Sequence, residues 1–261
     1  MPGLRVARTG PELAWRAADG DEVLGSVRAW VRPDQRCALF FGECRADAYD
    51  PLLTAVSAEL RRDLYVWADE ADTANLARYA ELGFQVARRE SDYLIPADPA
   101  VTGLAGATVP AGLAVISAGS ADVDRLRLLD DELRQDVPGA DGWRWDAAGF
   151  RAETFSPAFD PATYLVAVAE DTGGYAGLAR VWNDPDGPRL GLIAVLAPYR
   201  RRGLARALLG QAFGVLHERG QAGATAEVDD TNVASTALLT GLGARRTGGS
   251  VELIRRATLV R

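Results

Sequence analysis

Between positions 164 and 195 apolar and polar residues alternate in three segments separated by turn clusters. Tyr164–Ala169 leads through Asp171-Thr172-Gly173-Gly174 into Tyr175–Trp182, and the cluster Asn183–Pro188 feeds Leu190–Val195. A period of two broken by turn residues predicts a meander of antiparallel strands. The period then changes. Leu204, Leu208, Leu209, Ala212, Phe213 and Leu216 fall on one face of a helix that Gly220 would stop. A short strand over 225–228, a helix over 233–242 ended by Gly243, and closing strands to about 256 follow. Ahead of the meander the same reading predicts a strand over 113–116 and a helix over 123–135. Strands with interposed helices predict an α+β fold, a mixed and mostly antiparallel sheet flanked by helices.

The pattern occurs twice. Gly25, Arg28 and Trp30 stand 152 positions before Gly177, Arg180 and Trp182, and the same offset lays 39–43 on 191–195 without a gap. Farther on, Leu82-Gly83-Phe84 falls on Leu242-Gly243-Ala244, at an offset of 160. A collinear series of this kind marks an internal repeat. The first copy has only about a dozen residues before its meander, too few for the strand and helix of the second. Residues 98–111 are rich in Pro, Gly and Ala without amphipathic period, as in a linker. The expected organisation is therefore an abbreviated domain over 1–97, a linker, and a full domain over 112–261.

Composition narrows the partners. The net charge is −7, with 29 basic residues, all of them arginine. That balance argues against a general nucleic-acid binder and suits a cationic small substrate. No apolar run is long enough to cross a bilayer, and no basic flank with an apolar core marks secretion. Cys37 and Cys44 form neither a disulfide framework nor a zinc site, and with His217 as the single histidine no metal site is expected. His217, near a helix C-terminus, reads as structural. A cytoplasmic location is the simplest expectation.

The segment from Val195 to Leu209 carries the strongest local signal. A strand ends, Pro198 turns the chain, and Arg200, Arg201 and Arg202 open a helix after Gly203. Cations there oppose the helix macrodipole, by about 0.3–1 kcal/mol per charge. The conflict disappears if a polyanion occupies the free N–H groups and the arginines surround it. Gly203 admits that anion, and Ala205 is small enough not to obstruct it.

These residues resemble the signature of the GCN5-related N-acetyltransferase (GNAT) superfamily, Arg/Gln-x-x-Gly-x-Gly/Ala, at Arg200, Gly203 and Ala205. The preceding strand ends in the family's Val-x-x-Pro at Val195 and Pro198. An Asn opening a helix that ends in Leu-Gly is matched by Asn232 and Leu242-Gly243. The resemblance covers roughly 112–256. It implies acetyl-CoA as cofactor, with Ile193, Ala194 and Val195 bonding the pantetheine arm. Arg200, Arg201, Arg202, Gly203, Leu204, Ala205 and Arg206 would surround the pyrophosphate, and Asn232 would touch the thiol end. In the first copy the cradle positions are Ala48-Tyr49-Asp50-Pro51-Leu52-Leu53-Thr54. Asp50 would repel phosphate and Pro51 lacks a donor, so that copy keeps the fold without the cofactor site. Mycothiol synthases are similar in plan.

The resemblance implies transfer of acetyl from acetyl-CoA to an amine by direct attack. Val195 N–H is the family's usual oxyanion donor. Glu227-Val228-Asp229-Asp230-Thr231-Asn232 resembles the segment of ribosomal-protein alanine acetyltransferases whose Glu is the base. Glu227 is therefore the first candidate, with Asp229 a rival on the same strand face and a solvated acid the alternative. The family's acid is a Tyr seven residues after the Asn. Leu239 stands there, which leaves room for a CoA-binding module without turnover; a protein or peptide N-acetyltransferase is a third reading. Asp130, Asp131, Glu132, Asp136, Trp143 and Trp145 are candidates for the acceptor, since acids beside tryptophans suit a cation with an apolar body. The tryptophans fit a core or domain interface equally well. The expected partner is a small-molecule amine, not nucleic acid or membrane. Oligomeric state is not legible.

Overall fold

The structure, a computed structural model, describes residues 3–10, 12–140 and 142–257. The chain forms two compact units, 1–89 with 250–261 and 90–249. In the first, β1 (Arg5–Arg8), β2 (Ala14–Asp19), β3 (Glu22–Val31) and β4 (Cys37–Phe41) run antiparallel. Helix α1 (Tyr49–Leu60) then crosses to β5 (Leu64–Asp69), which pairs parallel to β4. Helix α2 (Thr73–Glu81) begins at Asp72, whose carboxylate accepts the Asn75 N–H at 3.0 Å, the expected N-cap device. Leu52, Leu53 and Val56 of α1 pack with Val27, Ala29 and Leu39 on one sheet face.

Strand β6 (Gln85–Pro96) leads into the second unit, where α3 (Pro99–Thr102) and β7 (Leu113–Ser117) follow. Two helices, α4 (Val123–Arg134) and α5 (Ala147–Thr154), precede the meander β8 (Tyr164–Ala169), β9 (Tyr175–Asp184) and β10 (Gly187–Val195). Helix α6 (Leu204–Glu218), β11 (Gly223–Asp229), α7 (Val233–Gly241) and β12 (Arg245–Arg255) complete the chain. Helices α6 and α7 bury Leu208, Phe213 and Leu242 against one sheet face. Leu126, Leu129 and Leu133 of α4 and Phe150 of α5 cover the other.

The meander, α6 and α7 fall within two or three residues of the expected bounds. The division of the chain does not. Residues 90–96 of β6 pair antiparallel with β11 in the second unit, Glu90 opposite Asp229 through Pro96 opposite Gly223. Residues 250–255 of β12 pair antiparallel with β5 in the first. Each half of the chain closes the other half's sheet, so neither 1–97 nor 112–261 is a compact unit. The segment expected as a linker is likewise packed: Leu104 is buried in the core beneath α6 with Ala107 and Val109 against it, and Thr102 is buried. Alanine and proline lack amphipathic period, yet they fill a tight interior as readily as a flexible loop.

The first copy closes where the second opens. Phe41, at the end of β4, stacks on Tyr49 at 4.9 Å and on Tyr79 at 6.2 Å, and Tyr79 meets Phe84 edge-on at 5.7 Å. Burial among these rings pushes the Tyr79 phenol up to about 12. Asp50 in the first turn of α1 supplies the negative charge a helix N-terminus favours. This half holds an aromatic cluster in place of an anion cradle.

Candidate active site

Strand β10 builds the site. Between Leu190 and Leu192 its register against β9 shifts by one residue, a bulge at Gly191. A Cβ at Gly191 would meet the Trp182 ring nitrogen at 2.8 Å, so glycine is required. On its other edge β10 pairs with β11 only at Arg189 opposite Thr225. Beyond that pair the strands run on, to Val195 and to Asp229, without a shared ladder, and a cleft opens between them.

The free backbone groups of that cleft follow from strand alternation. Leu196 N–H donates to the Ala176 carbonyl at 2.9 Å, and Ala194 stands opposite Leu178. Alternate residues of β10 therefore bond β9, so Ile193 presents its N–H and C=O to the cleft and Val195 its N–H, the Val195 carbonyl being taken by Arg200. Ala194, expected beside them as a backbone ligand, has its backbone engaged by β9.

The turn after β10 shapes an anion position. Arg201 takes φ 57° and Gly203 φ 87°, the second a left-handed conformation for which glycine carries no steric penalty. No side chain caps α6, and nothing lies within 4 Å of a Cβ built on Gly203. The first-turn N–H groups of Leu204, Ala205 and Arg206 are thus open to an acceptor. The arginines divide their work. Arg200 Nε donates to the Val195 carbonyl at 2.7 Å, and its guanidinium pairs with Asp136. Arg202 donates to the Ala111 carbonyl at 3.2 Å, and Arg206 to Gly103 at 2.9 Å. Arg201 is exposed and has no such partner among the described residues. Arg200 and Arg206, expected at the pyrophosphate by their side chains, instead brace β10 and the C-terminus of α3. Leu204 is buried in the core and reaches the cleft only by its backbone.

On β11, Glu227 is exposed and stands opposite Asp92 of β6. Ala224, Ala226 and Val228 point into the core under α6, so Glu227 shares the opposite face with Leu192 and Ala194. Asp229 departs from the alternation that would place it with Glu227. It is 7% exposed and accepts from the Thr231 N–H at 2.8 Å and from the Thr231 hydroxyl, which makes it a turn residue. Asn232 caps α7, its Oδ1 accepting the Ser235 N–H at 3.0 Å. Leu239 is buried in the core and offers no proton. His217 is exposed in the last turn of α6.

The acceptor candidates do not act alike. Asp131 is buried and accepts the Trp145 N–H at 3.0 Å and the Arg127 guanidinium at 3.3 Å. It anchors the loop that carries Trp145. Trp143 and Trp145 meet edge-on at 5.3 Å, with Arg134 over Trp143 at 5.4 Å. Asp136 meets Arg200, and Glu132 is exposed. Burial pushes the Asp131 carboxyl up, the Trp145 N–H opposing and Asp130 reinforcing the shift. An acid raised in the folded state is penalised above its folded pKa, and the penalty vanishes below its unfolded value near about 3.9. Asp131→Asn keeps an acceptor for Trp145. It is expected to change stability at neutral pH by less than about 1 kcal/mol, with wild type gaining on the variant as pH falls toward 4. Urea midpoints across that range check the sign.

Asp130, also expected at the acceptor, is instead buried beneath that loop in a pairing that sequence reasoning missed. Asp130, 0% exposed, accepts from Arg134 of its own helix at 2.5 Å and from Arg180 of β9 at 2.7 Å. Burial opposes the charge of Arg180, and Asp130 and Tyr164 together outweigh it, so its pKa is raised. The recurrence of Arg180 in the repeat was the available signal, but its partner lies 50 residues away. Among the described residues no cluster of His, Cys, Asp and Glu could hold a metal ion, both cysteines are free, and no helix is long and apolar enough to cross a membrane.

Comparison with known proteins gives this geometry a family. Residues 126–244 match the model of the Acetyltransferase (GNAT) family. A mycothiol acetyltransferase of Salinispora arenicola (strain CNS-205) is 29% identical over 216 residues, covering 78% of this chain and 67% of that protein. A GCN5-related N-acetyltransferase from Sphaerobacter thermophilus superposes with a TM-score of 0.69 at 19% identity, over 96% of this chain and 82% of its own. A tandem GNAT protein from the clavulanic acid biosynthesis pathway gives 0.67 at 18% identity, over 100% and 85%. At those identities the two structures speak for the fold alone. Residues 126–244 thus match the Acetyltransferase (GNAT) family, and the chain as a whole shares the fold of the tandem GNAT protein.

Proposed function

We propose that the second unit transfers an acetyl group from acetyl-CoA to the amine of a small molecule. The observation that carries this is the cleft between β10 and β11, with free backbone groups on one wall and an uncapped helix at its end. Acetyl-CoA supplies the activated thioester. Ile193 would bond the pantetheine arm through its backbone N–H and C=O, and the Val195 N–H would be the donor to the oxyanion. The N–H groups of Leu204, Ala205 and Arg206, with Arg201 and Arg202 beside them, hold the pyrophosphate through charge-assisted bonds of about 1.5–3 kcal/mol each. Asn232 lies at the thiol end. Glu227 takes a proton from the acceptor ammonium. The free amine then attacks the thioester carbonyl and expels CoA as the thiolate, which takes its proton from water. Asp92 opposite Glu227 makes the entrance favourable to a cation.

Calorimetric titration of acetyl-CoA into wild type and Arg201→Ala/Arg202→Ala protein tests the cradle. One site per chain, weakened about tenfold or more by the double change, is expected. No binding, or two equal sites, would overturn the assignment. Leu239, buried where the family carries an acid, favours a second reading, a CoA-binding module without turnover. Tight binding with no CoA release on any amine would select it.

A further inference from the structure

Strand β7 is the last in the strand order of the second unit, and among the described residues it pairs only with β8. Glu170 N–H donates to the Gly112 carbonyl, and the register continues with Leu113 opposite Ala169. By antiparallel alternation Ala114 and Ile116 then bond β8, while Leu113, Val115 and Ser117 turn their backbone groups away from it. The Leu113 N–H is taken by the Pro110 carbonyl at 3.2 Å. The Leu113 carbonyl, both backbone groups of Val115 and the Ser117 N–H have no hydrogen-bond partner among the described residues. Natural sheets blunt such an edge with charge, proline or a bulge. Strand β7 has none of these: it reads Leu-Ala-Val-Ile-Ser and keeps an unbroken register with β8. Strand β1, at the edge of the first unit's sheet, shows the usual protection, with Arg5 and Arg8 among its four residues.

We propose that β7 pairs antiparallel with β7 of a second copy of this chain, about a two-fold axis at Val115. The free groups match that register. Val115 N–H donates to the Val115 carbonyl of the other copy, and Ser117 N–H to its Leu113 carbonyl, each bond being made twice. The side chains match as well. Ile116 comes opposite Ala114 and Leu113 opposite Ser117, so a large residue meets a small one on both sides of the axis. The closest approach falls at the Ala114–Ile116 pairs, which carry no hydrogen bond between them, and there the small residue makes room for the large. No charge lies on β7, so the axis sets no like charges against each other. A two-fold contact requires a self-complementary patch, and these five residues supply one in size, charge and order of donors and acceptors. Strands β8 and β9 separate β7 from β10, so this pairing is independent of the proposed acetyl transfer and its test stands apart.

Sedimentation of the full chain over a concentration series is expected to show a reversible equilibrium between monomer and dimer. Val115→Pro removes the N–H pair on the axis. That N–H does not bond β8, and an edge strand tolerates proline where the missing donor faces outward. The variant should therefore fold, as circular dichroism verifies, while its dimer weakens at least about tenfold. Hydrogen exchange on wild type gives a second measurement that needs no change of sequence. At concentrations favouring the dimer the Val115 and Ser117 amides should be protected, and on dilution they should exchange rapidly. The Ala114 and Ile116 amides, bonded to β8, should stay protected in both conditions. A dimer whose Val115 and Ser117 amides exchange freely, or one that folded Val115→Pro protein forms equally well, overturns the proposal. A monomer at every concentration overturns it too, and leaves the edge to a strand of a different protein.

Discussion

Replacing Glu227 by glutamine is expected to lower kcat/KM for acetyl transfer by about 10²–10³-fold while leaving acetyl-CoA affinity within about twofold of wild type. An acceptor amine with a pKa near 10 is mostly protonated at neutral pH, so a base must remove a proton before attack. Glu227 is exposed on the face that also carries Leu192 and Ala194, at the open end of the β10–β11 cleft. Glutamine preserves its size and its cross-strand position opposite Asp92 but cannot accept the proton. The loss should fall on kcat, and the acidic limb of the pH–rate profile should disappear with it. Asp229→Asn should cost much less, since an amide oxygen still accepts the Thr231 N–H. Turnover and pH profile unchanged in Glu227→Gln would remove Glu227 from the mechanism. A larger loss in Asp229→Asn would transfer the role.

A comparable loss in stability is expected from Glu252→Leu. Glu252, on β12, is 1% exposed and accepts from Arg88 of β6, with Arg32 and Arg36 each 3.8 Å away. Arg32 is itself buried and pairs with Asp34 at 2.8 Å. Burial pulls the Arg32 guanidinium down while Asp34 and Glu252 hold it up. Removing Glu252 takes away the buried carboxylate that Arg32, Arg36 and Arg88 share. Breaking a buried ion pair from one side costs about 3–5 kcal/mol, which at about 2–4 °C per kcal/mol corresponds to a Tm lowered by about 10 °C. The damage should be local first: amide exchange over 250–255, the residues paired with β5, should accelerate before the rest of the chain. A Tm within about 2 °C of wild type would show that the strand pairing holds β12 without the carboxylate.

Both predictions depend on contacts between distant parts of the chain, and these contacts mark where the sequence stops being informative. Helix α5 went unread because Ala147–Thr154 is short and weakly amphipathic; its one local signal is the Asp146 cap, which accepts the Gly149 N–H at 2.7 Å. The exchange of β6 and β12 was not legible either. Both repeats end in the same helix-stop and strand pattern, at Leu82-Gly83-Phe84 and Leu242-Gly243-Ala244, so either strand suits either sheet by local pattern. Glu252 among Arg32, Arg36 and Arg88 distinguishes the two, and that grouping exists only in space. The linker expectation failed for a related reason, since a small-residue segment without period is compatible with a loop and with a tightly packed interior.

The amino-acid sequence by itself determined the tandem repeat, the meander, helices α6 and α7, the turn from Val195 to Gly203 and the loss of that turn's chemistry in the first copy. Those features act over a few residues, through strand alternation, helical period, turn conformation and charge at a helix start. Tertiary structure alone decided which sheet each closing strand joined. It also decided that Arg200 and Arg206 brace carbonyls, that Asp229 holds a turn while Glu227 stays exposed, and that Asp130 binds Arg180. The physical reason is that a buried charge takes its meaning from whichever opposite charge or carbonyl the fold brings within about 3 Å, and sequence distance places no limit on that partner.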